Sequence, residues 1–230
     1  MSATTKSVKP VRRKSSTRQA VEIMRKMILD NQLAPGSTHL ESELAELLNK
    51  SRTPVREATL ILEAQGLLEV KPRHGVRILS FSLGDIEEIY EVLTELESLA
   101  AQRAASKGHP EEEFRKAECA ITAMDQSLQR DDRESWAEAD ETFHRELVRL
   151  GGNSRILNIV EMYSDQVRRA RALTLYLRPA PTKSNDDHRD VLNAIRAGDQ
   201  EKACSIHKMH RLQARELLME LLVKYRVRHV

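Results

Sequence analysis

Apolar positions recur at helical spacing through most of the chain, and the spacing changes to that of strands in one short stretch. From Thr17 to Asn31, Ala20, Ile23, Met24, Met27 and Ile28 share one helix face, and Pro35-Gly36 then breaks the chain. A second short helix fits Glu41 to Asn49, with Leu44, Leu47 and Leu48 aligned. A third begins at Ser51-Arg52-Thr53-Pro54, where Ser51 or Thr53 serves as cap and Pro54 is tolerated in the first turn. Its apolar face is Val55, Ala58, Ile61 and Leu62, and Gly66 is placed to end it. Leu67-Leu68-Glu69-Val70 and Val76-Arg77-Ile78-Leu79 then read as two strands around the turn Lys71-Pro72-Arg73-His74-Gly75. Three short helices followed by a hairpin predict a winged helix-turn-helix over residues 17–80.

Residues 81–84 read as a hinge, and beyond it only helical patterns occur. Ile86, Ile89, Tyr90, Leu93, Leu96 and Ala100 form one stripe over 85–107. Further helices fit about 110–130, 133–150, 154–177, 184–197 and 200–225, with Gly198 as a stop and Asp199 as the next N-cap. The expected fold is therefore mostly α: the winged helix-turn-helix, then an all-α bundle of six to seven helices over residues 85–226.

Composition agrees with a two-domain globular chain: 230 residues, 40% apolar and 31% charged. No apolar run approaches the roughly 20 residues that span a bilayer, and the basic N-terminus lacks the apolar core of a signal peptide. Cys119 and Cys204 are the only cysteines, so a disulfide scaffold is not expected and a reducing cytoplasm is the simplest setting. A redox switch between them has less support than a packing role. Charge is uneven: residues 1–80 hold 14 Lys/Arg against 8 Asp/Glu, and the remainder 23 against 27. The basic end suits a polyanionic partner. Residues 1–16, with five basic and no acidic residues, are expected to be a disordered tail able to add phosphate contacts.

The third helix exposes Arg52, Thr53, Arg56 and Thr59 opposite its apolar set, and the wing tip presents Arg73-His74-Gly75. The second helix of a helix-turn-helix offers its N-terminal residues to base edges in the major groove, where the arginine fork matches guanine. A lone arginine is more often an ordinary solvated residue, but the clean separation of charged and apolar faces favours double-stranded DNA as partner. Pro35-Gly36, Leu40-Glu41-Ser42-Glu43-Leu44-Ala45, Ser51-Arg52-Thr53-Pro54-Val55-Arg56-Glu57-Ala58 and Leu62-Glu63-Ala64-Gln65-Gly66-Leu67-Leu68 together resemble the DNA-binding domain of the GntR family. The resemblance implies that Arg52, Thr53 and Arg56 contact DNA with His74 and Gly75 at the wing, and that the protein is a homodimeric repressor on a short palindromic operator.

In the second domain Asp140 and His144 are four apart on one helix face, His188 opens a later helix, and His210 lies on the last. One carboxylate and three imidazoles on bundle helices can hold a divalent transition metal such as Zn, Ni, Mn or Fe, although spacing alone does not choose between His207 and His210. Asp140-x-x-Phe143-His144, Gly152-Asn153, His188-x-x-Val191-Leu192-x-Ala194-Ile195-x-x-Gly198-Asp199, and Ala203 followed by His210-Arg211-Leu212 resemble the FCD domain of FadR-type GntR regulators. That resemblance implies Asp140, His144, His188 and His210 as metal ligands, leaves out His207 at a position usually nonpolar, and implies a small carboxylate-bearing effector, an organic or sugar acid. One departure is Leu93 after Tyr90-Glu91-Val92, where an arginine often meets the effector; Arg103, Arg168, Arg169 and Arg171 are the available substitutes. A purely structural metal is one alternative. A metal-dependent hydrolase is another, but the chain has no HExxH and no nucleophile motif, so no enzyme is expected.

Overall fold

The computed structural model describes residues 15–227, so the basic tail expected over 1–16 lies almost wholly outside the described residues. The chain divides between Leu79 and Ser80 into two compact units. In the first, Ser15 accepts from the Arg18 amide at 3.2 Å and starts α1 (Ser16–Leu29), whose Ala20, Met24 and Ile28 are fully buried. Helix α2 (Glu41–Leu47) begins where the Glu43 carboxylate reaches back to the Leu40 amide at 2.8 Å. Helix α3 (Arg52–Ala64) follows after the turn at Asn49, and Gly66, at φ +69°, ends it. Met24, Ile28, Leu44, Val55, Ala58 and Leu62 meet the inner faces of β2 (Leu68–Lys71) and β3 (Gly75–Ile78) in one core.

Two expectations for α3 need correction. Ile61 is 41% exposed instead of inward-facing, because Leu62 already fills the core at that turn. Thr59 is fully buried instead of exposed, and its hydroxyl donates to the Arg56 carbonyl at 2.8 Å.

The sheet also has a third strand. β1 (Thr38–His39) pairs antiparallel with β3, which becomes central in the order β1-β3-β2, with Thr38 opposite Arg77 and Val70 opposite Val76. Two residues carry no readable alternation, so β1 had no signature in the pattern. It explains Gly75: φ is +84°, and a Cβ there would meet the His39 carbonyl oxygen at 2.3 Å. Gly75→Ala is therefore expected to destabilise the first unit by roughly 2–4 kcal/mol, from the left-handed strain and the displaced strand. Chemical denaturation checks it, and unchanged stability would show that β1 can move aside.

In the second unit the expected hinge is largely taken up by a helix start. Ser82 accepts from the Asp85 amide at 3.2 Å while Asp85 accepts from the Ser82 amide at 2.7 Å, so α4 (Leu83–Ala105) already contains Leu83 and Gly84. The stretch expected as one helix from about 110 is a short 3-10 turn, Glu111–Glu113, followed by α5 (Arg115–Gln129). Helices α6 (Arg133–Leu150), α7 (Ser154–Thr174), α8 (Thr182–Arg196) and α9 (Gln200–Lys224) complete the bundle. Asp199 caps α9 by accepting from the Lys202 amide, and Gly198 at φ +72° closes α8. Phe143, Leu147, Met124 and Leu192 lie in the apolar core. Helix α4 packs on α9, α6 and α7, and its buried face carries the polar residues Thr94, Glu97 and Ser98. No helix among the described residues is long and apolar enough to cross a membrane.

Candidate functional site

Two constellations stand out, one in each unit. At the start of α3, Arg52, Thr53 and Arg56 are all exposed, and neither arginine has an ion-pair partner among the described residues. Val55 and Ala58, fully buried, fix the helix beneath them. His74 is exposed at the wing tip, beside Arg73 at φ +67° and the close-packed Gly75. The helix N-terminus and two unpaired guanidiniums give an exposed cationic helix start, the charge that a major groove accepts.

In the second unit, α6 supplies Asp140 and His144, α8 supplies His188 and α9 supplies His210, and the four meet inside the bundle. Asp140 Oδ1 lies 3.8 Å from His144 Nε2 and 3.7 Å from His188 Nε2. Ligand nitrogens of His144, His188 and His210 all fall within 4.8 Å of one another. Donors about 2.1 Å from one tetrahedral ion lie roughly 3.4 Å apart, close to the 3.7 and 3.8 Å that separate Asp140 Oδ1 from the two imidazoles. The other Asp140 oxygen accepts from Arg171 Nη2 at 2.6 Å.

Glu97 of α4, 1% exposed, was not anticipated. Its Oε2 faces His144 Nδ1 and His207 Nε2, each at 2.9 Å, and Arg211 Nη2 is 3.7 Å from Oε1. Burial opposes its ionisation, but Arg211 and the two imidazoles outweigh that and hold its carboxyl well below the usual range. An ionised carboxylate only accepts, so both facing nitrogens carry protons. His144 thereby turns a free Nε2 lone pair toward Asp140, a tautomer fixed from outside the donor set. His210 Nδ1 is 3.4 Å from Asp187 in a similar arrangement.

Electrostatics favour the charged form of Asp140 and Glu97 and the neutral form of His188, His207 and His210. For Asp140, burial is outweighed by Arg171 and then by His144, His188 and His210, and the carboxyl titrates far below its ordinary range. Burial, reinforced by His210, pushes His188 well below an ordinary imidazole, and burial takes His207 down to about 4 against the pull of Glu97. His188, fully buried, has no hydrogen-bond partner at either ring nitrogen. A neutral imidazole with unused lone-pair capacity beside an ionised carboxylate is a donor set for a borderline divalent metal. His207, omitted from the expected ligands, is fully buried and bonded to Glu97; a second grouping of Glu97, His144 and His207 shares His144 with the first.

Three of the four arginines available as substitutes at Leu93 are engaged elsewhere. Leu93 itself is buried. Arg103 donates to the Gly151 carbonyl, Arg168 pairs with Glu141 at 3.0 Å, and Arg171 holds Asp140. Cys119 and Cys204 are both free thiols.

A winged helix-turn-helix joined to a helical unit with a polar donor cluster defines a two-domain DNA-binding regulator. Residues 16–78 match the gntR family of bacterial regulatory proteins, and residues 88–213 match the FCD domain. An HTH-type transcriptional regulator of Streptomyces ambofaciens, itself uncharacterized, is 32% identical over 81% of this chain and 78% of its own. A regulator in the TAR-I ttuE-ttuC' intergenic region of Agrobacterium vitis, also uncharacterized, is 42% identical over 56% of this chain and 77% of its own. The HTH-type transcriptional repressor RspR of Escherichia coli is 27% identical over 82% and 84%. Among solved structures, E. coli McbR/YncC shares the fold with a TM-score of 0.77 at 21% identity, covering 90% of this chain and 99% of that one.

The chain belongs to the GntR family of bacterial regulatory proteins, with an FCD domain at its C-terminal side. It is a DNA-binding transcriptional regulator and not an enzyme, which sets aside the hydrolase alternative.

Proposed function

We propose that this regulator is a homodimeric repressor that leaves a palindromic operator when a small carboxylate-bearing effector, an organic or sugar acid, binds at a divalent-metal site in the second unit. The observation that carries the metal reading is His188, fully buried with both nitrogens unpartnered, 3.7 Å from the ionised Asp140. Asp140, His144, His188 and His210 would hold the ion. Bound there, Zn, Ni, Mn or Fe supplies Lewis-acid positions for carboxylate or hydroxyl oxygens. Arg171 keeps one Asp140 oxygen engaged so that the other stays turned to the imidazoles, while Glu97 and Asp187 orient His144 and His210. In the first unit Arg52, Thr53 and Arg56 meet base edges, and His74 and Gly75 bring the wing to the backbone or minor groove. The effector shifts operator occupancy only by its differential affinity for the free and DNA-bound forms.

The test is a duplex selected from a random pool by the purified protein, titrated at several salt concentrations. Arg56→Ala is expected to lower affinity for that duplex by about 1–3 kcal/mol, the worth of a bidentate base contact. Unchanged affinity and footprint would remove Arg56 from the interface. A second reading, a structural ion closed by four protein ligands, is favoured by the count of donors, which fills a tetrahedral shell. In that case chelator lowers the melting temperature, yet no carboxylate acts through the ion.

A further inference from the structure

On α3 the hydrogen bonds show which exposed side chains are committed to the first unit itself. Glu57 accepts from the Thr17 hydroxyl of α1, and Gln65 accepts from Arg25 Nη2 of α1 at 2.7 Å. Ile61 lies midway between them at four-residue spacing, so all three belong to the edge that flanks α1. Glu63 Oε1 accepts from the Val70 amide at 2.7 Å and is held toward the wing. Among the large exposed side chains of α3 that leaves Arg52, Arg56 and Leu60, together with the smaller Thr53.

Leu60 is 51% exposed, and its place on the helix is specific. At about 100° per residue it projects between the directions of Arg56 and Thr53, opposite the fully buried Ala58 and Leu62. The centre of the face assigned to DNA is thus a large aliphatic side chain, flanked by two guanidiniums and a threonine. A scattered surface leucine needs no explanation. One at the centre of a groove-facing surface does, because DNA binding takes it out of water and sets it against base edges. Those edges present donors and acceptors that a leucine cannot meet, and one apolar group, the C5-methyl of thymine.

We infer that Leu60 is a specificity-determining residue that packs against a thymine methyl group in the major groove. The inference rests on the DNA-contact reading of Arg52, Thr53 and Arg56 given above. Leu60 lies one helical turn beyond Arg56, about 6 Å along the axis, or roughly two base-pair steps of 3.4 Å. The preferred thymine therefore stands about two base pairs from the base that Arg56 meets. Arg56 reads its base by hydrogen bonds, and Leu60 adds an apolar contact that only a base with the methyl group can return.

The test uses the full chain and the duplex that it selects from a random pool. Each thymine of one half-site is replaced in turn by uracil, which removes the methyl group and keeps the base pairing. At one thymine the replacement is expected to weaken native binding about fourfold, the worth of one buried methyl group. Leu60→Ala should weaken binding to the thymine duplex by a similar or larger factor and should bind the thymine and uracil duplexes equally. Its melting temperature should stay unchanged, since the side chain is exposed. Its own selection from the pool should lose the thymine while keeping the base met by Arg56. Equal native binding to every uracil duplex would overturn the inference. So would a thymine preference that persists in Leu60→Ala, or a loss in that variant that is as large on the uracil duplex. If Arg56→Ala weakens binding while uracil has no effect, the inference falls alone; if the native chain shows no sequence preference, the DNA-contact reading falls with it.

Discussion

His188→Leu is expected to melt higher than the native chain in chelator, by roughly 2–4 °C, and to lose the stabilisation that added metal gives. The ring sits at 0% exposure, stacked 4.1 Å from Phe143 between centroids and next to Val191 and Leu192 in the core, yet neither nitrogen is hydrogen-bonded. An unsatisfied buried polar group costs about 1–3 kcal/mol, and an apolar side chain of similar size removes that cost at the expense of some stacking. A net gain of about 1 kcal/mol corresponds to the stated shift for a unit of this size. Metal affinity should fall by at least about 100-fold, because a direct ligand is worth more than an outer-shell partner, whose loss costs about 10- to 100-fold. A residue kept where it weakens the metal-free fold is a sign of a site maintained for binding. Metal analysis of the purified variant and melting with and without chelator read both effects. A lower melting temperature in chelator would show that the imidazole already has partners, and full metal occupancy would remove His188 from the ligand set.

The parts of this molecule that were legible in the sequence are those with a period or a cap. The helices of the first unit, the wing, and the Gly198–Asp199 stop and start follow from spacing and from residues with one backbone use. Asp140, His144, His188 and His210 were nameable because a family resemblance tied four distant residues together, and the fold brings them into one cluster. Glu97 and His207 were not nameable. In Glu95-Leu96-Glu97-Ser98 a glutamate reads as a solvated residue, since charged side chains are seldom buried without partners. Its partners lie 47, 110 and 114 residues away on other helices, so nothing local reveals them. The same reason hid the inward turn of Tyr90, Thr94 and Ser98 as a polar face: only Tyr90 belonged to the apolar stripe read from the pattern.

Glu97→Gln and His207→Leu together separate the two donor groupings that share His144. If the ion is held by Asp140, His144, His188 and His210, Glu97 acts as a positioning residue, and its loss frees the His144 ring to change tautomer. Glu97→Gln should then lower metal affinity by about 10- to 100-fold. It also leaves Arg211, 3% exposed, without its carboxylate, a change that typically costs about 3–5 kcal/mol in a buried pair. His207 in this arrangement only donates to Glu97, so His207→Leu should keep metal affinity within about threefold, the loss of one hydrogen bond at the outer carboxylate being worth about 1 kcal/mol or less to the ion. If instead Glu97, His144 and His207 are the ligands, His207→Leu abolishes metal binding as completely as His188→Leu is expected to do, and His188→Leu leaves it intact. Affinities from competition with a chromophoric chelator, measured at a temperature where all variants are folded, decide between them independently of stability, because a variant that is merely destabilised keeps its metal constant once it is folded.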